Sequence, residues 1–327
     1  MIDFSELYSS TEGCRLCPRR CSVRRPGPEQ FLQADSVQEI HLPADAAQET
    51  RTGYCKAPAG IMAARAALHH WEEPCISGTK GSGTVFFTGC TLKCRFCQNY
   101  KISRNQWGKA LSSDRLAEIF LSLQKQGAHN INLVTATHYL PWILPALEQV
   151  KECLHIPVVY NCGGYERPET IKALKPYVDI WLPDLKYFDS ELSGRLSQAP
   201  DYFAFAASAI LQMIRQTGAP QFDEEGLMKR GVIIRHLVLP GHRDDSIRLL
   251  HWMADTLPRH QFYISLLSQY TPYQKDPDYP ELNRRITRYE YEKVVEAALE
   301  LGLDQGFMQK KSSAREEYTP SFALQGL

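Results

Sequence analysis

The chain has 327 residues, 43% hydrophobic and 23% charged, with 37 basic residues balanced by 37 acidic ones. This ordinary globular composition excludes a mostly disordered chain, a collagen and a coiled coil, and fits one α/β domain of about 200–250 residues plus smaller extensions. Zero net charge lacks the basic excess of a nucleic-acid binder, and no run of about 18 apolar residues offers a membrane span.

The first residues, Met-Ile-Asp-Phe-Ser-Glu, have neither the basic nor the apolar region of a secretory signal, so the expected compartment is the cytoplasm. Structural disulfides are rare there, and ten cysteines then point to metal or catalysis. Residues 1–80 are rich in Cys, Arg, Pro, Gln and Ala and show no sustained period. They read as an extension whose order depends on something other than a large core, with a polar, exposed loop over 24–52.

From residue 84 onward short β-like runs alternate with amphipathic segments. Strands are expected at 84–88, 131–135, 158–161, 180–182, 232–239 and 262–266. Helices are expected at 113–125, 145–153, 169–174, 201–215, 245–256 and 288–301; the first carries Leu116, Ile119, Phe120 and Leu123 on one face, with Ser112 or Ser113 as cap. Six strands alternating with six helices mean repeated βα units and a parallel sheet, curled into a full or partial barrel or doubly wound. Either way, ligands gather at the carboxyl ends of the strands.

Cys90, Cys94 and Cys97 follow the first of these strands in Phe-Thr-Gly-Cys-Thr-Leu-Lys-Cys-Arg-Phe-Cys-Gln-Asn-Tyr. Three thiolates on one loop can hold three irons of a cubane cluster and leave the fourth open to an exogenous ligand. The alternatives are a zinc site completed from elsewhere, or inert core thiols. Zinc loops favour paired C-x-x-C groups, and the βα pattern that follows weighs against both.

This C-x-x-x-C-x-aromatic-C loop resembles the radical S-adenosylmethionine (SAM) superfamily, and over most of residues 80–270 the chain is similar to homologues of the pyruvate formate-lyase activating enzyme. The resemblance implies an α/β fold: a partial (β/α)6 barrel over 79–275, between a Cys-rich extension (1–78) and a helical C-terminal segment (276–327). It implies a [4Fe-4S] cluster whose open iron is chelated by S-adenosylmethionine. An electron breaks the sulfonium C–S bond, and a 5′-deoxyadenosyl radical takes hydrogen from substrate. Phe96 matches the residue that meets adenine. Asp184 and Lys186, in Asp-Leu-Lys, look like the group near the methionine and ribose parts of the cofactor. Arg235 resembles a fifth-strand arginine, followed by a similar Pro-Gly-His-Arg-Asp-Asp loop. One departure stands out. The second strand usually ends in a Gly-Gly-Glu-like motif, and this chain has Thr135, Thr137 and His138 there instead.

The residues support the same reading on their own. A sulfonium cofactor carries a carboxylate, an ammonium and a ribose diol, and needs a cation, acceptors and polar groups in one dry cavity. Arg235 can fork onto a carboxylate, and the Thr and His groups can accept from an ammonium. The alternative for Asp184 is a strand-end ion pair with Lys186 and no ligand.

Cys14, Cys17, Cys21 and Cys55 form a second candidate metal site, for zinc or an iron–sulfur cluster, which would tie down a small extension. Cys162 ends the third strand and could face the cavity, as a relay thiol or as a packed one. Cys75 and Cys153 read as structural. His236 alternates with Arg235 and should point to the opposite face. The partners that the resemblance implies are S-adenosylmethionine, a reductant such as flavodoxin or ferredoxin, and a protein substrate of the glycyl-radical enzyme class. Other readings are a radical enzyme acting on a small molecule, peptide or RNA, and a non-catalytic iron–sulfur or zinc protein.

Overall fold

The structure, a computed structural model, describes residues 6–9, 13–25, 52–58, 60–273, 275–309 and 320–327. The loop expected over 24–52 lies mostly outside the described residues.

Among the described residues a 10-stranded sheet organises the chain. We label its main strands β1 (Ile61–His69), β2 (Ser82–Phe87), β3 (Lys109–Leu111), β4 (Ile131–Val134), β5 (Val158–Cys162), β6 (Ile180–Pro183), β7 (Met228–Leu237), β8 (Tyr263–Leu267) and β9 (Gly306–Met308). Their order is β9-β8-β7-β6-β5-β4-β2-β1-β3, with the short strand Gln221–Phe222 pairing off β7. From β2 to β9 the neighbours run parallel. β1 is antiparallel to both β2 and β3. The two ends of the sheet do not pair, so the α/β barrel is partial and open. Six of the parallel strands coincide with the six expected from the sequence.

Helices α1 (Ser113–Lys125), α2 (Leu140–Val150), α3 (Pro168–Ala173), α4 (Ser190–Ser197), α5 (Tyr202–Thr217), α6 (Arg243–Thr256) and α7 (Arg288–Glu300) follow the strands. In α1, Ser112 accepts from the Arg115 N–H, and Leu116, Ile119, Phe120 and Leu123 are buried, as their spacing requires. The expected start of α2 at Pro145 is corrected. Pro141 takes the first turn, where a missing N–H loses nothing, and Pro145 is carried inside a helix already under way.

β1 falls in the segment read as irregular. Seven of its nine residues are buried, and such a strand shows no polar alternation to betray it. Beyond α7 the chain is not helical throughout: β9 adds a parallel edge to β8, and residues 320–327 lie along β1. There the Ala66 N–H donates to the Gln325 carbonyl at 2.8 Å and the Leu324 N–H to the Ala64 carbonyl at 3.2 Å. The core fills the space between strands and helices with fully buried Phe87, Phe120, Tyr139, Tyr160, Trp181 and Tyr202, and so makes the strand ends rigid supports.

Candidate active site

The loop 90–97 leaves the carboxyl end of β2 through Gly89. Gly89 sits at φ 87°, and a Cβ there would stand 2.6 Å from the Cys55 carbonyl oxygen, so only glycine fits. The loop is fixed from three sides. The Cys90 N–H donates to the Cys55 carbonyl at 3.3 Å, and the Lys93 and Arg95 N–H groups donate to the last carbonyls of α4. Arg104 Nη2 donates to the Lys93 carbonyl at 3.0 Å and the Cys94 carbonyl at 2.6 Å.

Each sulfur on this loop has a polar partner. The Leu92 N–H donates to Cys90 Sγ at 3.4 Å, the Ser197 hydroxyl donates to Cys94 Sγ at 3.0 Å, and Ser103 Oγ lies 3.3 Å from Cys97 Sγ. Such contacts support thiolates that ligate metal. Burial pushes the bare Cys90 thiol up to about 12, helped by the neighbouring thiols, and raises Cys94 too. Iron binding must therefore displace protons. Among the described residues no three or more His, Cys, Asp or Glu groups converge closely enough to hold one metal ion. The loop fits a cluster instead, in which each thiolate meets a different iron.

A cavity of about 220 Å³ opens beside the three sulfurs at the carboxyl ends of the parallel strands, lined in part by Phe96, Thr135, Asp184, Lys186 and Arg235. Five of the residues singled out from sequence therefore share one cavity with Cys90, Cys94 and Cys97. Arg235 forms a parallel bridge with Asp184, which places both at one level of the sheet. Its Nε donates to Asp184 Oδ1 at 3.0 Å, Nη1 to Glu72 Oε2 at 3.2 Å, and Nη2 to Asn161 Oδ1 at 2.5 Å. Lys186 Nζ donates to Asp184 Oδ2 at 2.6 Å and stands 5.9 Å from the Phe96 ring centre. Burial works against the Asp184 carboxylate, but Lys186 and Arg235 outweigh it and its pKa falls below the ordinary carboxylate range. Burial also opposes the Lys186 charge, and Asp184 reverses that, lifting it to about 12. Asp184 is thus both a cavity residue and the ion-pair partner of Lys186. The guanidinium of Arg235, expected to be free for a cofactor carboxylate, is already engaged on three sides.

Thr137 and His138 are not among the residues lining this cavity. After Thr135, at φ 59°, the chain turns into the short helix Thr137–Tyr139, which carries both side chains into the packed interior. The Thr137 hydroxyl donates to Glu166 Oε1 at 2.7 Å and accepts from Tyr160 at 2.9 Å. His138 Nε2 lies 2.7 Å from the Thr88 carbonyl, and burial pushes its pKa down to about 3, so the ring is neutral and Nε2 donates. Neither side chain replaces the absent acid at the cavity.

A second carboxylate that reaches the cavity, beside Asp184, is Glu72, which sequence reading missed. It follows β1 and accepts from Arg235, from Asn132 on β4 at 3.0 Å and from Asn161 on β5 at 3.2 Å. Burial raises its pKa, with Arg235 pulling the other way. The available signal was a Glu72-Glu73 pair between a long apolar run and Pro74.

His236 points away from Arg235, as alternation requires, and bonds the Leu185 carbonyl and the Ser246 hydroxyl. Cys162 lines the cavity at 2% exposure, and burial holds its thiol well above the ordinary value. Cys75 is buried, but Cys153 is exposed just past α2 and packs into no core, contrary to the structural role expected for it.

Residues 84–253 match the Radical SAM superfamily. The chain belongs to that superfamily. Membership implies a [4Fe-4S] cluster and S-adenosylmethionine, and the three-cysteine loop beside the cavity suits both. An uncharacterized protein of Methanocaldococcus jannaschii, MJ0674, is 30% identical over 303 residues, covering 90% of this chain and 76% of that protein. Among solved structures, SuiB of Streptococcus suis bound to S-adenosylmethionine aligns at a TM-score of 0.45 and 16% identity, over 68% of this chain and 48% of SuiB. This radical SAM chain thus spans about half the length of SuiB. The hydrogenase maturase HydG of Carboxydothermus hydrogenoformans aligns at 0.45 and 15% identity, over 70% of this chain and 53% of HydG. A domain of the pyruvate-formate lyase-activating enzyme of Bacteroides vulgatus aligns at 0.35 and 16% identity, over 61% of this chain and 91% of that domain. No helix among the described residues is long and apolar enough to cross a membrane.

Proposed function

We propose that the protein cleaves S-adenosylmethionine reductively and uses the resulting 5′-deoxyadenosyl radical to abstract hydrogen from a substrate in the cytoplasm. The observation that carries this reading is the Cys90, Cys94 and Cys97 loop, its sulfurs polar-partnered, opening onto a cavity at the carboxyl ends of parallel strands. The bound cluster supplies a single electron at its open iron. The chain's own residues do the rest. Phe96, with Lys186 near its ring, offers a surface for the adenine. Asp184 and Lys186 offer an acceptor and a donor to the ribose and methionine parts. Arg235 holds Asp184, Glu72 and Asn161 in fixed positions, so it shapes the cavity and orients the groups around it. Phe86, Phe87 and Leu92 give the cavity apolar wall that limits water.

The substrate class we favour is a protein carrying a glycyl-radical site, with a flavodoxin or ferredoxin as electron donor. It rests on the likeness of the Asp-Leu-Lys and Pro-Gly-His-Arg-Asp-Asp segments to the activating enzymes. We further read Cys14, Cys17, Cys21 and Cys55 as a second metal site within the N-terminal extension. The test of the reaction is anaerobic reconstitution with iron and sulfide, followed by incubation with S-adenosylmethionine and reductant. Formation of 5′-deoxyadenosine and methionine is expected. An iron-loaded protein that forms neither is not an enzyme of this class.

A further inference from the structure

The N-terminal cysteines lie beside the cluster loop. Cys14, Cys17 and Cys55 are buried and Cys21 is exposed. The Ser22 N–H donates to the Cys14 carbonyl at 3.1 Å, which brings Cys21 close to Cys14. A Cβ on Gly53 would stand 2.9 Å from Cys21 Sγ and 3.7 Å from Cys55 Sγ, so this glycine keeps open a space that both sulfurs border. Arg25, only 4% exposed, sets Nη2 3.5 Å from Cys14 Sγ, and its buried Nη1 has no hydrogen-bond partner among the described residues. A buried cation with a spare donor beside Cys14 suits an anionic group held by these thiols. Zinc draws four thiolates to about 2.3 Å from a single centre, whereas a cluster spreads its ligands over several irons.

The placement of Cys55 adds a function to this site. Its carbonyl accepts the Cys90 N–H at 3.3 Å, so one hydrogen bond joins a ligand of one thiol group to a ligand of the other. Gly89 is stripped of a Cβ at the place where this carbonyl approaches. On the outer side, exposed Cys21 is flanked by exposed Arg20 and Arg24, a basic surface suited to an acidic donor protein.

We propose that Cys14, Cys17, Cys21 and Cys55 hold an iron–sulfur cluster that relays electrons into the barrel through the Cys55 carbonyl–Cys90 amide contact. This rests on the reading of these cysteines as a metal site and of the barrel as a radical SAM enzyme. The balance is one electron throughout. An external donor of the flavodoxin or ferredoxin class is oxidised by one electron. The relay is reduced and then reoxidised, and the electron ends in the sulfonium C–S bond that breaks. No atom or proton moves in the relay.

The test uses the full, anaerobically reconstituted protein. Metal analysis should find iron and sulfide for two clusters and no stoichiometric zinc. When wild-type protein is reduced far enough to charge both clusters, their electron resonance signals should be broadened by mutual spin interaction. Cys21→Ser should lose half of the iron and the broadening. It should also lose reduction of the barrel cluster by reduced flavodoxin, while reduction by titanium citrate persists. Zinc, or no metal, at these cysteines overturns the metal site and the relay with it. Two clusters without spin interaction in the wild type, or undiminished reduction by flavodoxin in the variant, overturns the relay alone and leaves the metal site standing. The wild-type measurement decides even if the variant does not fold.

Discussion

The two cysteine groups of this protein touch through one hydrogen bond, yet they are held in opposite ways. The loop 90–97 hangs from a buried strand, and Arg104, α4 and the Cys55 carbonyl brace it independently of any metal. Among the described residues the N-terminal group is held by the short pairing Tyr8–Ser9 with Gly13–Cys14, by a few loop hydrogen bonds and by Leu7 and Leu16 at the margin of the main core. It docks by a few bonds, from Thr170 to the Leu16 carbonyl at 2.7 Å, from Arg167 to the Arg15 carbonyl at 2.6 Å and from Arg19 to the Thr91 carbonyl at 3.1 Å. The loop's geometry thus comes from the fold, while on the proposed reading a bound metal ties the extension down.

That contrast is open to attack from both ends. Ala at Cys90, Cys94 and Cys97 together should abolish cofactor cleavage while the barrel stays folded, because the braces are backbone and Arg104 contacts; circular dichroism and a 5′-deoxyadenosine assay read the two sides. Ala at Cys14, Cys17 and Cys21 should do the reverse, lowering bound metal and exposing residues 1–60 to limited proteolysis while the barrel loop keeps its iron. An unchanged digestion pattern and metal content would mean these thiols are free.

Arg235→Ala leaves Asp184 and Glu72 without their shared cation in a partly buried place, and such a loss costs about 1–3 kcal/mol of stability. A denaturant titration reads it, and cofactor affinity should fall with it because Asp184 and Asn161 lose their anchor. A variant of unchanged stability would show that the three hydrogen bonds do not hold the cavity together.

Glu166 tests the layer behind the cavity. Burial raises its carboxyl to about 8 from an ordinary 4.5, opposed by the Thr137 hydroxyl. A raised folded value favours the protonated form, so its contribution is complete below about pH 4.5 and is lost as pH rises through about 8. Glu166→Gln should cancel that slope and be more stable than wild type at alkaline pH by roughly 2–4 kcal/mol. Melting curves at pH 5, 7 and 9 check it, and parallel curves for the two proteins would contradict it.

The sheet's six main parallel strands and the three-cysteine loop were legible in the chain because alternation with amphipathic helices and ligand spacing are local signals. Phe96, Asp184, Lys186 and Arg235 were pointed to by the family resemblance, and Asp184 and Arg235 also by their place near strand ends. What stayed hidden depended on long-range packing. β1 is apolar on both faces and looks like neither strand nor helix by period. Glu72 reaches the cavity only because β1 delivers it there, and Arg235 is engaged on three sides only because Asp184, Glu72 and Asn161 arrive from other elements. Thr137 and His138 had the right chemistry, but a left-handed Thr135 and the turn after it carry them away.

The claim that matters most is that Cys90, Cys94 and Cys97 hold a cluster whose free iron binds the cofactor in the neighbouring cavity. Low-temperature electron resonance of the reduced, reconstituted protein, recorded with and without S-adenosylmethionine, tests it most directly. The account predicts that the cofactor changes the signal of the barrel cluster, and that the change disappears when the three cysteines are replaced. A reduced cluster on this loop whose spectrum is the same with and without S-adenosylmethionine would contradict it.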